Sequence, residues 1–189
     1  MKRLFLLLFG LLCLAPLCLP MTANAAALTI AKSSLLMSDP LNGVASPKAI
    51  PGAVVDYTVK ITNPNGIFTT VTPVAITDAL PPRTKFYVGA LGSLSLNSVN
   101  LVTTGPVAFY DDNLLGLGLL GSDLSYTFGG LGSGTDSIAF SNDNGATWGY
   151  TPVADADGYD ANITNIRVTL SGTFRAGSNF SLRYRIMIK

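Results

Sequence analysis

A period of two runs through the longest apolar stretches of this chain. In Val54–Thr62, the residues Val55, Tyr57, Val59 and Ile61 point one way, and Asp56, Thr58, Lys60 and Thr62 the other. Phe180, Leu182, Tyr184, Ile186 and Ile188 alternate with Ser181, Arg183, Arg185, Met187 and Lys189. Ile166, Val168 and Leu170 alternate with Arg167, Thr169 and Ser171. Successive side chains of an extended chain lie on opposite faces, so each run is a strand with one apolar face to cover. Shorter strands are expected at Leu28–Lys32, Val74–Asp78, Lys85–Val88, Ser93–Leu96, Val107–Tyr110, Leu124–Phe128 and Ser137–Ser141, with a return strand at Thr147–Thr151. Helical periodicity is missing, and so are Glu and Gln, two of the better helix formers.

Turn chemistry separates the runs. Asn63-Pro64-Asn65-Gly66 is a strong turn, Pro81-Pro82 stops the strand before it, and Asn144-Gly145 signals a hairpin. Arg175–Ser178 joins the last two strong strands. Many short strands with one apolar face each imply two sheets packed together. The expected fold is all-β: one immunoglobulin-like antiparallel β-sandwich over residues 26–189, elaborated between about Leu91 and Asp160.

The start of the chain reads differently. Lys2 and Arg3 precede the apolar run Leu4–Pro20, and Ala23-Asn24-Ala25 is a small-x-small site. Residues 1–25 therefore read as a secretory signal peptide, removed after Ala25. Pro16 and Pro20 argue against an uninterrupted membrane span. Cys13 and Cys18 leave with the signal, so the mature chain has no thiol for a disulfide or a metal. Cleavage also removes two of the 12 basic groups against 11 acidic ones, so the balance turns slightly negative. Nothing in that balance attracts nucleic acid. An exported protein is expected: extracellular, periplasmic or on the cell surface.

Three separated pieces carry a family resemblance: Pro47-Lys48-Ala49-Ile50-Pro51-Gly52, the strand ending in Val59-Lys60-Ile61-Thr62-Asn63, and Ile76-Thr77-Asp78-Ala79-Leu80-Pro81. Together with the final Ser171-Gly172-Thr173-Phe174-Arg175-Ala176-Gly177 and its alternating strand, they resemble the bacterial conserved repeat domain known as domain of unknown function eleven. The resemblance implies an immunoglobulin-like sandwich of secreted or cell-envelope proteins, closed by a hairpin and without catalytic residues to carry over. This chain holds one copy and a longer middle, which sits poorly with a simple spacer role.

Ser141-Asn-Asp143-Asn-Gly145-Ala-Thr147-Trp148 matches the pattern S-x-D-x-G-x-T-W and resembles the Asp-box of sialidases. Its physics is that of a rigid hairpin: Asp143 accepts turn N–H groups, Gly145 takes positive φ and Trp148 packs beneath. Trp148 and Tyr150, with Tyr159, are the candidate platform for a glycan. Asp155, Asp157 and Asp160 concentrate oxygen ligands and are the candidate calcium site, although Tyr159 sits where a third ligand belongs and no Glu closes the loop.

Enzymatic readings find little to work with. All 11 acids are Asp and His is absent, so chemistry that needs a His base or a Glu is excluded. The pair Asp155 and Asp157 suits a glycosidase only if it spans a cleft. Gly116–Gly121 spells G-x-G-x-x-G without a strand before and a helix after, so it reads as an apolar loop or a partner surface. Lys48, Lys60, Asn63 and Asp78 raise an isopeptide bond, set against ordinary surface ion pairs. The expected function is a non-catalytic structural or interaction module that binds other surface proteins or itself, with carbohydrate binding as the alternative.

Overall fold

A computed structural model describes residues 26–66, 69–92, 100–102, 104–111 and 121–189. The expected signal peptide, the strand at Ser93–Leu96 and the leucines of the Gly116–Gly121 loop lie outside the described residues. Eleven strands appear among those described: β1 (Thr29–Ser38), β2 (Val54–Thr62), β3 (Val74–Ala79), β4 (Thr84–Tyr87), β5 (Asn100–Val102), β6 (Val107–Asp111), β7 (Leu124–Ser125), β8 (Ile138–Ser141), β9 (Tyr159–Asp160), β10 (Asn165–Gly172) and β11 (Asn179–Ile188). None of the described residues is α-helical, and among them no helix is long and apolar enough to cross a membrane.

The strands form an antiparallel β-sandwich of two sheets, as the alternation requires. The larger runs β1-β2-β11-β4-β9, with β6 also on β11 and β5 outside β6. The smaller has β10 at its centre, flanked by β3 on one side and by β8 and β7 on the other. The register puts apolar residues opposite apolar ones: Ile61 faces Phe180, Val59 faces Leu182, and Val55 faces Ile186. These side chains meet Ile166, Val168 and Leu170 of β10 in one buried cluster with Phe86, Phe109 and Phe174. Burying each such side chain stabilises the fold by roughly 1.5–3 kcal/mol before chain entropy is set against it.

β11 organises the larger sheet. One edge pairs along β2, while the other is shared between β6 (Phe180–Tyr184) and β4 (Ile186–Ile188). The elaborated middle is therefore distributed over both sheets: β5, β6 and β9 extend the larger, β7 and β8 the smaller.

Two local expectations are corrected. β10 and β11 belong to different sheets, so Thr173–Ser178 is an arch across the sandwich rather than a closing hairpin. Phe174 plugs that arch, fully buried, and exchanges backbone hydrogen bonds with Val71. Gly172 enters it with φ 97°, and a Cβ there would meet the Asp123 carbonyl oxygen at 2.2 Å. The first strand is also twice the length read from sequence. It continues to Ser38, with a register shift between Leu36 and Ser38.

The polar face of the larger sheet is not all solvent-facing. Asp56 and Arg183 are almost fully buried there, beneath a small apolar cluster of Leu91, Ala108 and Tyr110. The middle region folds over this face, and the Gly92 carbonyl accepts a hydrogen bond from Arg183.

Candidate functional site

Trp148 and Tyr150 line one open groove of about 280 Å³ on the outer side of the smaller sheet. Its floor is Arg167 and Thr169, the outward residues of β10, and its wall is the loop Leu131–Ser137. The turn that delivers Trp148 is built as its sequence requires. The Asp143 carboxylate accepts the Ser141 hydroxyl at 2.6 Å, the Thr147 N–H at 2.9 Å and the Thr147 hydroxyl at 2.7 Å. The Ser141 oxygen in turn accepts the Gly145 N–H at 2.9 Å. Gly145 has φ 84°, and a Cβ there would meet the Trp148 ring at 3.4 Å.

Hydrogen bonds from Ser141 and Thr147 hold the Asp143 carboxyl at about 2, below its ordinary 3.8. The expected return strand is missing, since Thr147–Thr151 is extended coil. Only Tyr150 N–H to the Phe140 carbonyl, at 3.3 Å, ties it to β8. Without a ladder to hold it flat, this segment stands off the sheet and leaves the groove.

The platform expected for a glycan is only partly assembled. Trp148 is half-buried, and the Arg167 guanidinium lies over its ring at 4.6 Å from the centroid. The Tyr150 hydroxyl is committed to Asp160 at 2.8 Å. Tyr159 is elsewhere, buried in the larger sheet and packed edge-on against Tyr87.

The three candidate calcium ligands do not converge. Asp155 accepts the N–H groups of Asp157 and Tyr159 and pairs with Lys85 at 2.7 Å. The Lys85 ammonium, then the Tyr159 N–H, holds its carboxyl below the usual range. Asp160 is 2 % exposed and spends its oxygens on Tyr150, the Val153 N–H and the Asn162 N–H. Asp157 is exposed on the turn between them. Among the described residues no group of three or more such ligands is placed to hold a metal ion. Asp155 and Asp157 share one tight turn, so they do not face each other across a cleft.

Three arrangements escaped the sequence reading. Asp56 accepts hydrogen bonds from Arg183 at 2.7 Å and from Arg185 at 2.6 and 3.0 Å, while Arg183 also donates to the Tyr110 hydroxyl. Asp56 holds the Arg185 guanidinium above its ordinary value. Asp78 is reached by a lysine that the sequence reading did not pair with it. Lys32 of β1 crosses from the other sheet to both of its oxygens, at 2.7 and 2.8 Å, over the rings of Tyr57 and Tyr184. Asn63 is fully buried and donates to the Phe174 carbonyl at 3.1 Å, serving the backbone of the arch. The alternation shows which residues share a face. It does not show which strand lies beside them.

β1 is highly exposed: its residues Thr29–Leu35 all stand in solvent. Among the described strands it pairs with β2 alone, and along its other edge none of them lies beside it. Of the five large apolar side chains exposed among the described residues, Ile30, Leu35, Leu41 and Val44 lie on β1 or the turn after it. Set against known protein families, curated proteins and solved structures, the chain finds no match in any of the three.

Proposed function

We propose that this chain is an exported, non-catalytic interaction module of the cell envelope, which engages its partner through the open edge of β1. The observation that carries the reading is the contrast between committed chemistry and an uncommitted edge. Asp39, Asp56, Asp78, Asp136, Asp143, Asp155 and Asp160 all spend their oxygens on turns, arginines or lysines of the fold. β1 spends one edge on β2, reaches the other sheet through Lys32 and the core through Leu36, and has no partner among the described strands along its other edge. An open edge offers main-chain hydrogen bonds to an incoming strand. The resemblance to the conserved repeat domain and the leader-like residues 1–25 support the same setting.

Fractionation tests this. The chain is expected in the washed envelope fraction, and Ser33→Lys, which sets a charge in the middle of the open edge, shifts it to the soluble fraction. A chain confined to the cytoplasm, or one whose retention ignores Ser33→Lys, overturns the reading. The groove favours carbohydrate binding as the second reading, because Trp148, Tyr150 and Arg167 share it. Trp148 is the only tryptophan, so a saccharide that changes its fluorescence would favour the groove over the edge.

A further inference from the structure

The partner of β1 follows from its own side chains. We infer that β1 pairs antiparallel with β1 of a second copy, about a two-fold axis through Ser33, so that the two larger sheets become one. This rests on the reading of β1 as the contact element and names its occupant.

Symmetry restricts the register. A two-fold axis normal to a sheet sets the same faces of both copies on one side, so opposed residues must have the same parity. The regular part of β1 runs from Thr29 to Leu36, ahead of the shift next to Ser38. Two central registers use most of it. An axis through Lys32 opposes Lys32 to its own copy, which like charges disfavour. An axis through Ser33 opposes Ile30 to Leu36, Ala31 to Leu35 and Lys32 to Ser34. Apolar residues then meet apolar ones on both faces, and Ile30 and Leu35, 62 % and 60 % exposed, each gain an apolar neighbour.

An inward charge on an edge strand usually guards against such pairing. Lys32 is the only charged residue of β1, and Asp78 neutralises it from the other sheet. Its ammonium is drawn over Tyr57 and Tyr184, toward the strands already paired. An approaching strand therefore buries an ion pair already formed and no lone charge. β1 also lacks proline, so every residue along the edge keeps its N–H.

Sedimentation of the purified chain beginning at Ala26, at about 100 μM, tests the inference. The expected result is a dimer mass. Ser33→Lys and Ser33→Asp each oppose like charges at the axis, and each weakens the dimer by about ten-fold or more. Mixed together, the two variants restore a dimer, because Lys then faces Asp; this also shows that both variants fold. A monomeric parent chain, a dimer indifferent to Ser33→Lys, or a mixture that stays monomeric overturns the inference. If the purified parent is monomeric while envelope retention still falls with Ser33→Lys, self-pairing fails and the interaction module stands. If retention ignores the variant as well, both fail.

Discussion

Two buried polar side chains set opposite stakes. Asp56 is 2 % exposed, and its carboxylate pairs with both Arg183 and Arg185. Removing it leaves Arg183 buried without its counter-ion, and breaking a buried pair this way costs about 3–5 kcal/mol. Asp56→Ala is therefore expected to lower the denaturation midpoint steeply in a chemical melt; a change within error would show that the arginines relax into solvent. The Tyr126 hydroxyl is buried and finds no hydrogen-bond partner among the described residues. Its ring stacks on Phe109 at 6.3 Å, and burial pushes the phenol above its ordinary value. Tyr126→Phe keeps the ring and removes the unsatisfied group, so stability is expected to hold or rise by up to about 1 kcal/mol. A clear loss in the same melt would reveal a partner for the hydroxyl. Neither environment was legible in the sequence. Asp56 sits in an alternating run where polar means solvent unless something covers that face, and the cover comes from Leu91 and Gly92, far along the chain.

At the scale of the element, the Asp143 turn was read almost in full, because the bonds of its carboxylate all join residues within a few positions of one another. Its neighbour was not: the return strand failed to form, since Thr147–Thr151 has one backbone bond to β8 and no ladder. The turn carries its own pH dependence. Asp143 is held at about 2, against an ordinary 3.8. A depressed carboxylate contributes stability that is full above its unfolded value and lost as pH falls through the folded one. Trp148 fluorescence is thus expected to stay level down to about pH 4 and to change between about pH 4 and pH 2. Asp143→Asn should flatten that step, since the amide cannot titrate. Superimposable profiles would mean that the carboxylate does not hold the turn. β1 illustrates the converse limit. Its edge status depends on no other strand arriving beside it, which a local pattern cannot announce.

For the molecule as a whole, alternation and turn residues were enough to give two antiparallel sheets, because one-sided apolar strands have few other ways to leave water. They did not give the crossing between sheets. Arg175–Ser178 has the chemistry of a hairpin turn, yet Phe174 needs the interior and Gly172 can reach φ 97°, so the chain arches over instead. The candidate site was legible as residues and not as a constellation. Trp148 and Tyr150 came together, while Tyr159, Asp155 and Asp160 were claimed by other neighbours.

The position of β11 has a consequence for how the chain is made. It follows every other described strand in sequence, yet it is the one that β2, β4 and β6 all pair with. Until that last strand is delivered, a growing chain holds the described part of its larger sheet as three separate strand pairs, β1–β2, β4–β9 and β5–β6. Their union into one sheet is therefore a late event.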